Sequence, residues 1–224
     1  MIEMEPSTFK CNPETYDRWY DTAKGAMYDR LEKQAVAEIL LKNNQGRKLL
    51  DVGCGTGHWS YFFSQLGFTV TGVDIFPEMI RVADGKNINR ASFKIADAHH
   101  LPFEDGTFDV SVAITTLEFA RNPAGVIHEM VRCTRHPNGK LIIGALNCCA
   151  SINRKRKMKP YSNARFFSPR QIRNMLEPYG KPRVFSTVFV PTLNWLLFSA
   201  PFFNRIGRLL YLPTGAFVIG SVEL

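Results

Sequence analysis

The sequence predicts an α/β fold: a doubly wound, mostly parallel seven-stranded sheet with helices on both faces and an antiparallel last strand. Three observations carry that expectation. From Lys48 onward, short apolar runs alternate with segments of helical spacing, the alternation that builds parallel strands joined by crossover helices. A glycine-rich turn, Gly53-Cys54-Gly55-Thr56-Gly57, follows the first of those runs directly. The final apolar run, Ala216 to Leu224, comes after a long apolar connection, which permits antiparallel insertion into the sheet.

The elements follow in order. Pro13 to Asn44 reads as helical, with Leu31, Ala35, Ile39 and Leu40 at helical spacing and a break expected near Gly25. LLDV is the first strand; Trp59 to Leu66 is a helix, TVTGVD a strand and Pro77 to Asp84 a helix. SFKIAD and FDVSVAIT are strands, Pro123 to Cys133 is a helix, and KLIIGAL is a strand. Asn122 before Pro123 is an N-cap followed by proline at the first helical position. Ser168, Pro169 and Gln171 repeat that arrangement with a capping-box glutamine. Residues 147 to 167 are polar and basic with no assignable pattern, and Arg183 to Val190 is the strand before the last.

At 224 residues the chain suits one medium domain and is too short for two full-sized ones. We divide it into an N-terminal helical segment, 1–44, and a domain over 45–224 that carries a basic and apolar insertion at about 147–212. With 45% hydrophobic and 21% charged residues, disorder, collagen and coiled coil are excluded. The net charge of +8 is uneven: residues 1–129 carry 13 basic and 18 acidic side chains, residues 130–224 carry 15 and 2. The second half therefore points toward an acidic ligand, nucleic acid or a membrane surface. Cys11, Cys54, Cys133, Cys148 and Cys149 form no C-x-x-C pair and no zinc spacing, so a reducing cytoplasm and no metal are expected. The N-terminus has acids where an export signal has a basic region. Val184 to Asn204 is uncharged and long enough to span a bilayer, but Pro191, Asn194 and Pro201 interrupt it. It reads as a buried strand followed by an apolar loop or helix.

The glycine turn carries the most chemistry. Glycine at 53, 55 and 57 lets the backbone turn tightly between strand and helix and leaves no side chain between the main chain and a ligand. A nucleotide site also needs an acid at the end of the next strand to hold ribose hydroxyls, and Asp74 stands there, 23 positions after Asp51. The dinucleotide fingerprint requires a third glycine where this chain has His58, so a smaller adenosine ligand is favoured over NAD. A nicotinamide-dependent oxidoreductase is the first rival reading, and a non-catalytic binding protein of the same fold the second.

DVGCGTGH, VTGVDIFPEMI, ADAHHLPF, FDVSVAITTLEF and GKLIIGAL, in that order, resemble the motifs of class I S-adenosylmethionine-dependent methyltransferases, and most nearly the type-11 group that includes the quinone-biosynthesis enzymes. The resemblance covers residues 45 to 146 well, and YDRWY and ARFFSPRQI more loosely. It implies a Rossmann-like fold, S-adenosylmethionine as cofactor, and roles position by position. Asp51 and the backbone at Gly53, Cys54, Gly55 and Gly57 would hold the methionine end. Asp74 would bind the ribose, Ile75 would pack on the adenine, and Asp97 and Ala98 would read the adenine edge. Thr115 would lie beside the amino-acid moiety, and Tyr16, Asp17, Trp19 and Tyr20 would fold over the cofactor as a lid.

Methyl transfer from a sulfonium is an in-line displacement, so the protein mainly aligns the reactants and excludes water. Where the acceptor must lose a proton, His99, His100 and Glu118 are the candidate bases. The basic run Arg154-Lys155-Arg156-Lys157 with Lys159 offers peripheral contact with a phosphate, a carboxylate or an anionic membrane surface. TTLEF after the fourth strand, in place of an N-P-P-Y-like tetrapeptide, argues against nucleic acid. Aromatic and aliphatic residues of 184–204, among them Phe185, Phe189, Trp195, Phe198, Phe202 and Phe203, suit an apolar acceptor pocket, so the expected acceptor is a small molecule, lipophilic or anionic.

Overall fold

The computed structural model describes residues 12–41, 48–154, 161, 164–191 and 194–224. Seven strands, β1 (Lys48–Val52), β2 (Thr69–Asp74), β3 (Ala91–Ile95), β4 (Val110–Ile114), β5 (Lys140–Leu146), β6 (Arg183–Thr187) and β7 (Phe217–Glu223), form one sheet in the spatial order β3-β2-β1-β4-β5-β7-β6. β1 to β5 pair in parallel, and β7 runs antiparallel to both β5 and β6. The mostly parallel sheet with an antiparallel last strand is thus the one the sequence calls for.

The helices are α1 (Pro13–Tyr16), α2 (Ala23–Leu40), α3 (His58–Gln65), α4 (Pro77–Gly85), α5 (Pro123–Cys133), α6 (Ser151–Arg154), α7 (Pro169–Leu176) and α8 (Ala200–Leu209). Alternation along the strands feeds two cores, because successive side chains point to opposite faces. Leu49, Val112 and Ile142 pack with Leu31, Ala35 and Phe63 of α2 and α3. Leu50, Ala113 and Ile143 pack with Ile127 and Met130 of α5 and Ile172 and Leu176 of α7. Burial on both faces explains why these strands read as continuous apolar runs. The caps form as their residues dictate: Asn122 accepts from the Gly125 N–H, and Ser168 and Gln171 close a capping box at α7.

One boundary falls where it was expected and one differs from the sequence reading. The N-terminal helix breaks at Tyr20 to Thr22, just before Gly25, and the Thr22 hydroxyl caps α2 by accepting from the Gly25 N–H. Gly25 is needed because a Cβ there would lie 1.9 Å from the Trp19 carbonyl oxygen. β6 ends at Thr187, three residues early, because Val188 adopts φ +65° and turns the chain off the sheet. Beyond it the apolar stretch continues as a loop and α8, and among the described residues no helix is long and apolar enough to cross a membrane. The basic run from Lys155 to Lys159 lies outside the described residues.

The order of the sheet places the site. From β1 the chain steps outward to β2 and β3, then returns to the other side of β1 with β4 and β5. The crevice at such a reversal, outside the carboxyl ends of the strands, is where open α/β sheets bind ligands.

Candidate active site

The glycine turn folds back on β2: the Gly53 and Cys54 N–H groups both donate to the Val73 carbonyl, at 2.8 and 2.9 Å. Gly53, Gly55 and Gly57 all have positive φ, between +53° and +79°, which side chains rarely adopt. The first two glycines answer different needs. A Cβ at Gly53 would lie 2.3 Å from the Thr116 side chain, whereas among the described residues a Cβ at Gly55 would meet nothing within 4 Å. Gly53 is demanded by packing, and Gly55 leaves an uncovered stretch of backbone.

Asp74 ends β2 beside that open stretch. One carboxylate oxygen accepts from the Gly55 N–H at 2.9 Å and the other from the Phe76 N–H at 3.0 Å. A carboxylate has about four acceptor positions, so roughly two remain for the hydroxyls of a diol. Burial raises its pKa, against the opposing pull of those N–H groups. Asp51, at the carboxyl end of β1, is deeper: it is buried, takes the Ser60 hydroxyl at 2.6 Å, and burial reinforced by the nearby Asp74 pushes it up to about 7. Cys54 is buried too, and burial among Asp51 and Asp74 holds its thiol well above the ordinary value. A protonated, inaccessible thiol is no nucleophile.

Ile75 and Ala98 are half-buried around the crevice, and Asp97 begins the loop after β3. Asp97 accepts from both the backbone N–H and the Nδ1 of His99, at 2.9 and 2.8 Å, while His99 Nε2 accepts from the Asn122 N–H at 3.3 Å. Both ring nitrogens of His99 are therefore committed to holding the loop against the start of α5. His100 is exposed. At the end of β4, Thr115 has φ +51° and ties its N–H to Gly144, and the Thr116 hydroxyl donates to the Val52 carbonyl at 2.9 Å.

Glu118 follows immediately and is buried. Its Oε1 accepts from the Leu146 N–H at 2.7 Å, its Oε2 has no hydrogen-bond partner among the described residues, and burial raises its pKa to about 7. A buried polar atom left unpaired is costly, so a ligand group that reached it would gain a strong hydrogen bond.

The N-terminal segment crosses the glycine turn. The Thr56 hydroxyl donates to Asp17 at 2.7 Å, Lys86 pairs with the other Asp17 oxygen, and Tyr20 stacks on His58 with centroids 3.6 Å apart. His58 Nε2 lies 2.8 Å from both Asp29 and Lys33 of α2. Tyr16 is half-buried, while Trp19 is exposed and meets the Tyr28 ring edge-on at 6.2 Å. α2 itself packs in the core, and among the described residues Asp17 and Tyr20, ahead of it, meet Thr56 and His58. Burial raises the Tyr20 phenol pKa, and the nearby Tyr161 is among the charges that raise it further. Tyr161 also faces the ring of Phe119, next to Glu118, at 6.1 Å.

Beside this site, on the same carboxyl edge, a cavity of about 360 Å³ lies among Tyr28 of α2, Ala150 and Ile152, Val188 and Phe189 after β6, and Phe203 of α8. Of the residues expected to form an acceptor pocket, Phe189 and Phe203 line it; Phe198 and Phe202 face outward. Thr56, Thr116, Tyr161 and the stacking role of His58 were not legible from the sequence. Their partners lie tens of residues away, so the motifs that contain Thr56, His58 and Thr116 do not show these contacts.

The uncovered Gly55 backbone and the remaining acceptor positions of Asp74 fit an adenosyl ligand. A methyltransferase-domain family model matches residues 50–143. An uncharacterised protein of Methanocaldococcus jannaschii is 31% identical over 179 residues, 78% of this chain and 80% of that one. A malonyl-[acyl-carrier protein] O-methyltransferase of Hamiltonella defensa is 30% identical over 66% of this chain, which spans 59% of that enzyme's length. Among solved structures, a SAM-dependent methyltransferase of Thermotoga maritima superposes with a TM-score of 0.69 over 93% of this chain and 94% of its own, at 23% identity. The chain belongs to the class I S-adenosylmethionine-dependent methyltransferases, in the type-11 group.

Proposed function

We propose that the enzyme methylates a hydroxyl oxygen of a small, largely apolar acceptor bound in the cavity between α2, the residues after β5 and the residues after β6. The observation that carries this reading is the cavity: it lies at the carboxyl edge of the sheet, and its walls are mainly aliphatic and aromatic with Ser151 and Thr214 as hydroxyl contributors. Tyr28 joins it to the cofactor side through its contact with Trp19. The name of the Hamiltonella relative is consistent with an oxygen acceptor.

When bound, S-adenosylmethionine supplies an electrophilic methyl group on a sulfonium. Asp74 is assigned to the ribose hydroxyls, the backbone of Gly53 to Gly57 to the methionine end, and Asp97 and Ala98 to the adenine edge. Tyr20 and Asp17 hold the N-terminal segment across the turn and exclude water. Glu118 is assigned to the acceptor proton on its place after β4 and its Oε2, which has no hydrogen-bond partner among the described residues. It does not line the cavity, so the acceptor hydroxyl must extend beyond the cavity to reach it, and with a pKa near 7 it is a stronger base than an ordinary carboxylate. The setting is a reducing cytoplasm, supported by cysteine usage without paired or metal spacing.

The test is a screen with methyl-labelled cofactor against size-matched apolar alcohols and phenols, their amine counterparts, and polar acceptors. Label on an apolar hydroxyl compound is expected. Ser151→Trp, an exposed position that lines the cavity, should raise the acceptor KM about tenfold or more with cofactor affinity unchanged. Labelling confined to amines or to polar acceptors overturns the reading.

A further inference from the structure

Helix α8 buries its small and polar residues and exposes its large apolar ones. Ala200, Asn204 and Gly207, at helical spacing, face inward; Phe202, Phe203, Ile206 and Leu209 face solvent, and Leu210, Tyr211 and Leu212 extend the same surface. Phe202 is 63% exposed, Leu209 73% and Tyr211 85%. A surface helix of a globular domain has the opposite arrangement, and a contiguous exposed apolar patch marks an interaction site.

The orientation is fixed from the inside. Asn204 Oδ1 accepts from the Thr187 hydroxyl at 3.1 Å and from the Val188 and Phe189 N–H groups at 2.7 and 3.2 Å. Gly207 lies against the Phe189 ring, where a Cβ would come within 2.5 Å. Polar bonds and close backbone approach hold the helix with its apolar face outward, and turning it inward would break all of them.

The patch's own segment carries basic charge only, and the one acid paired with it among the described residues is Glu38 of α2. The sequence has no acidic residue between Glu177 and Glu223. Arg208 is paired with Glu38, whereas Arg205, exposed among the apolar residues, forms no ion pair with any described residue. We propose that α8 and the turn after it dock the protein on an anionic lipid bilayer, lying in the interface without crossing it. Aromatic and aliphatic side chains enter the boundary between headgroups and acyl chains while arginine meets anionic headgroups, as in other interfacial helices. A lipid surface fits this face better than a protein does, since it offers apolar area and negative charge together without needing a matching groove. Phe203 belongs to both the patch and the cavity wall, so the docked face adjoins the cavity; the docking itself does not depend on which acceptor the cavity takes.

The experiment is flotation of the full chain with vesicles of phosphatidylcholine alone or mixed with phosphatidylglycerol, with light scattering of the protein by itself. Binding to the anionic vesicles is expected to be about tenfold or more stronger than to the neutral ones, and to weaken at about 0.5 M salt. F202S/L209S and Arg205→Glu should each lower it about tenfold, with unchanged thermal midpoint and S-adenosylhomocysteine affinity. Absence of flotation, flotation undiminished in F202S/L209S, or a protein dimer that this variant dissociates and that does not bind vesicles would each overturn the proposal, the last in favour of a second copy on this face.

Discussion

The hydroxyl of Thr56, in the glycine turn, donates to the carboxylate of Asp17 at 2.7 Å across 39 positions of sequence. With the Asp17–Lys86 pair and the Tyr20–His58 stack, it ties the N-terminal segment to the site. Ties between part-exposed groups contribute on the order of 1 kcal/mol each. Asp17→Ala should therefore raise the S-adenosylmethionine Kd about three- to tenfold and speed amide exchange over residues 12–22, leaving exchange in β1, β4 and β5 unchanged. Hydrogen-exchange mass spectrometry reads both, and unchanged exchange at 12–22 would show that the segment is held by other contacts.

Asp74→Ala removes the acceptor for the Gly55 and Phe76 N–H groups together with the acid assigned to the ribose. Losing a bonded partner in a mostly buried site costs about 1–3 kcal/mol, which is roughly a five- to 150-fold rise in Kd. Calorimetric titration with S-adenosylhomocysteine checks this. An affinity unchanged within twofold would remove Asp74 from the ribose.

The first two glycines of the turn separate packing from binding. Gly53→Ala drives a methyl into Thr116, whose hydroxyl holds the Val52 carbonyl, so the thermal midpoint should fall by several degrees. Gly55→Ala meets no atom of the described residues within 4 Å and costs its left-handed backbone, about 1 kcal/mol. Its methyl enters the open space over the turn, so cofactor affinity should fall more than stability does. Equal losses of midpoint and affinity in the two variants would contradict this division.

The sheet was legible because strands buried on both faces leave continuous apolar runs, and because Asn122 and Ser168 announce their helices with proline and capping chemistry. The glycine turn and Asp74 were legible because strand-to-helix geometry fixes their spacing. What escaped depends on tertiary contact. Nothing in the sequence tells that the two ring nitrogens of His99 serve Asp97 and Asn122, or that Tyr20 lies on His58. Likewise the aromatic residues of 184–204 read as pocket or core, and the buried Asn204 turns several of them to solvent instead.

Glu118 makes the sharpest prediction because one group affects stability and turnover in opposite senses. Burial raises its pKa to about 7, above an unfolded value of about 4.3. Between those values the folded chain holds more protons than the unfolded one, so stability is greatest on the acid side and declines as pH rises through the window. Asp51, raised to about 7 by the same cause, adds a slope of the same sign. The thermal midpoint should therefore drop between pH 5 and pH 8 (a window of about three pH units), less steeply in Glu118→Gln and least in D51N/E118Q. A base acts only when ionised, so kcat/KM should rise over that same window in the wild-type enzyme. Glu118→Gln should lose the rise together with about 10²–10⁴-fold in rate, at unchanged cofactor affinity. His100→Ala, at an exposed position, should stay within about twofold. If Glu118→Gln flattens the stability profile while the rate still rises with pH, Glu118 is a buried acid of the fold and the acceptor proton leaves by another route.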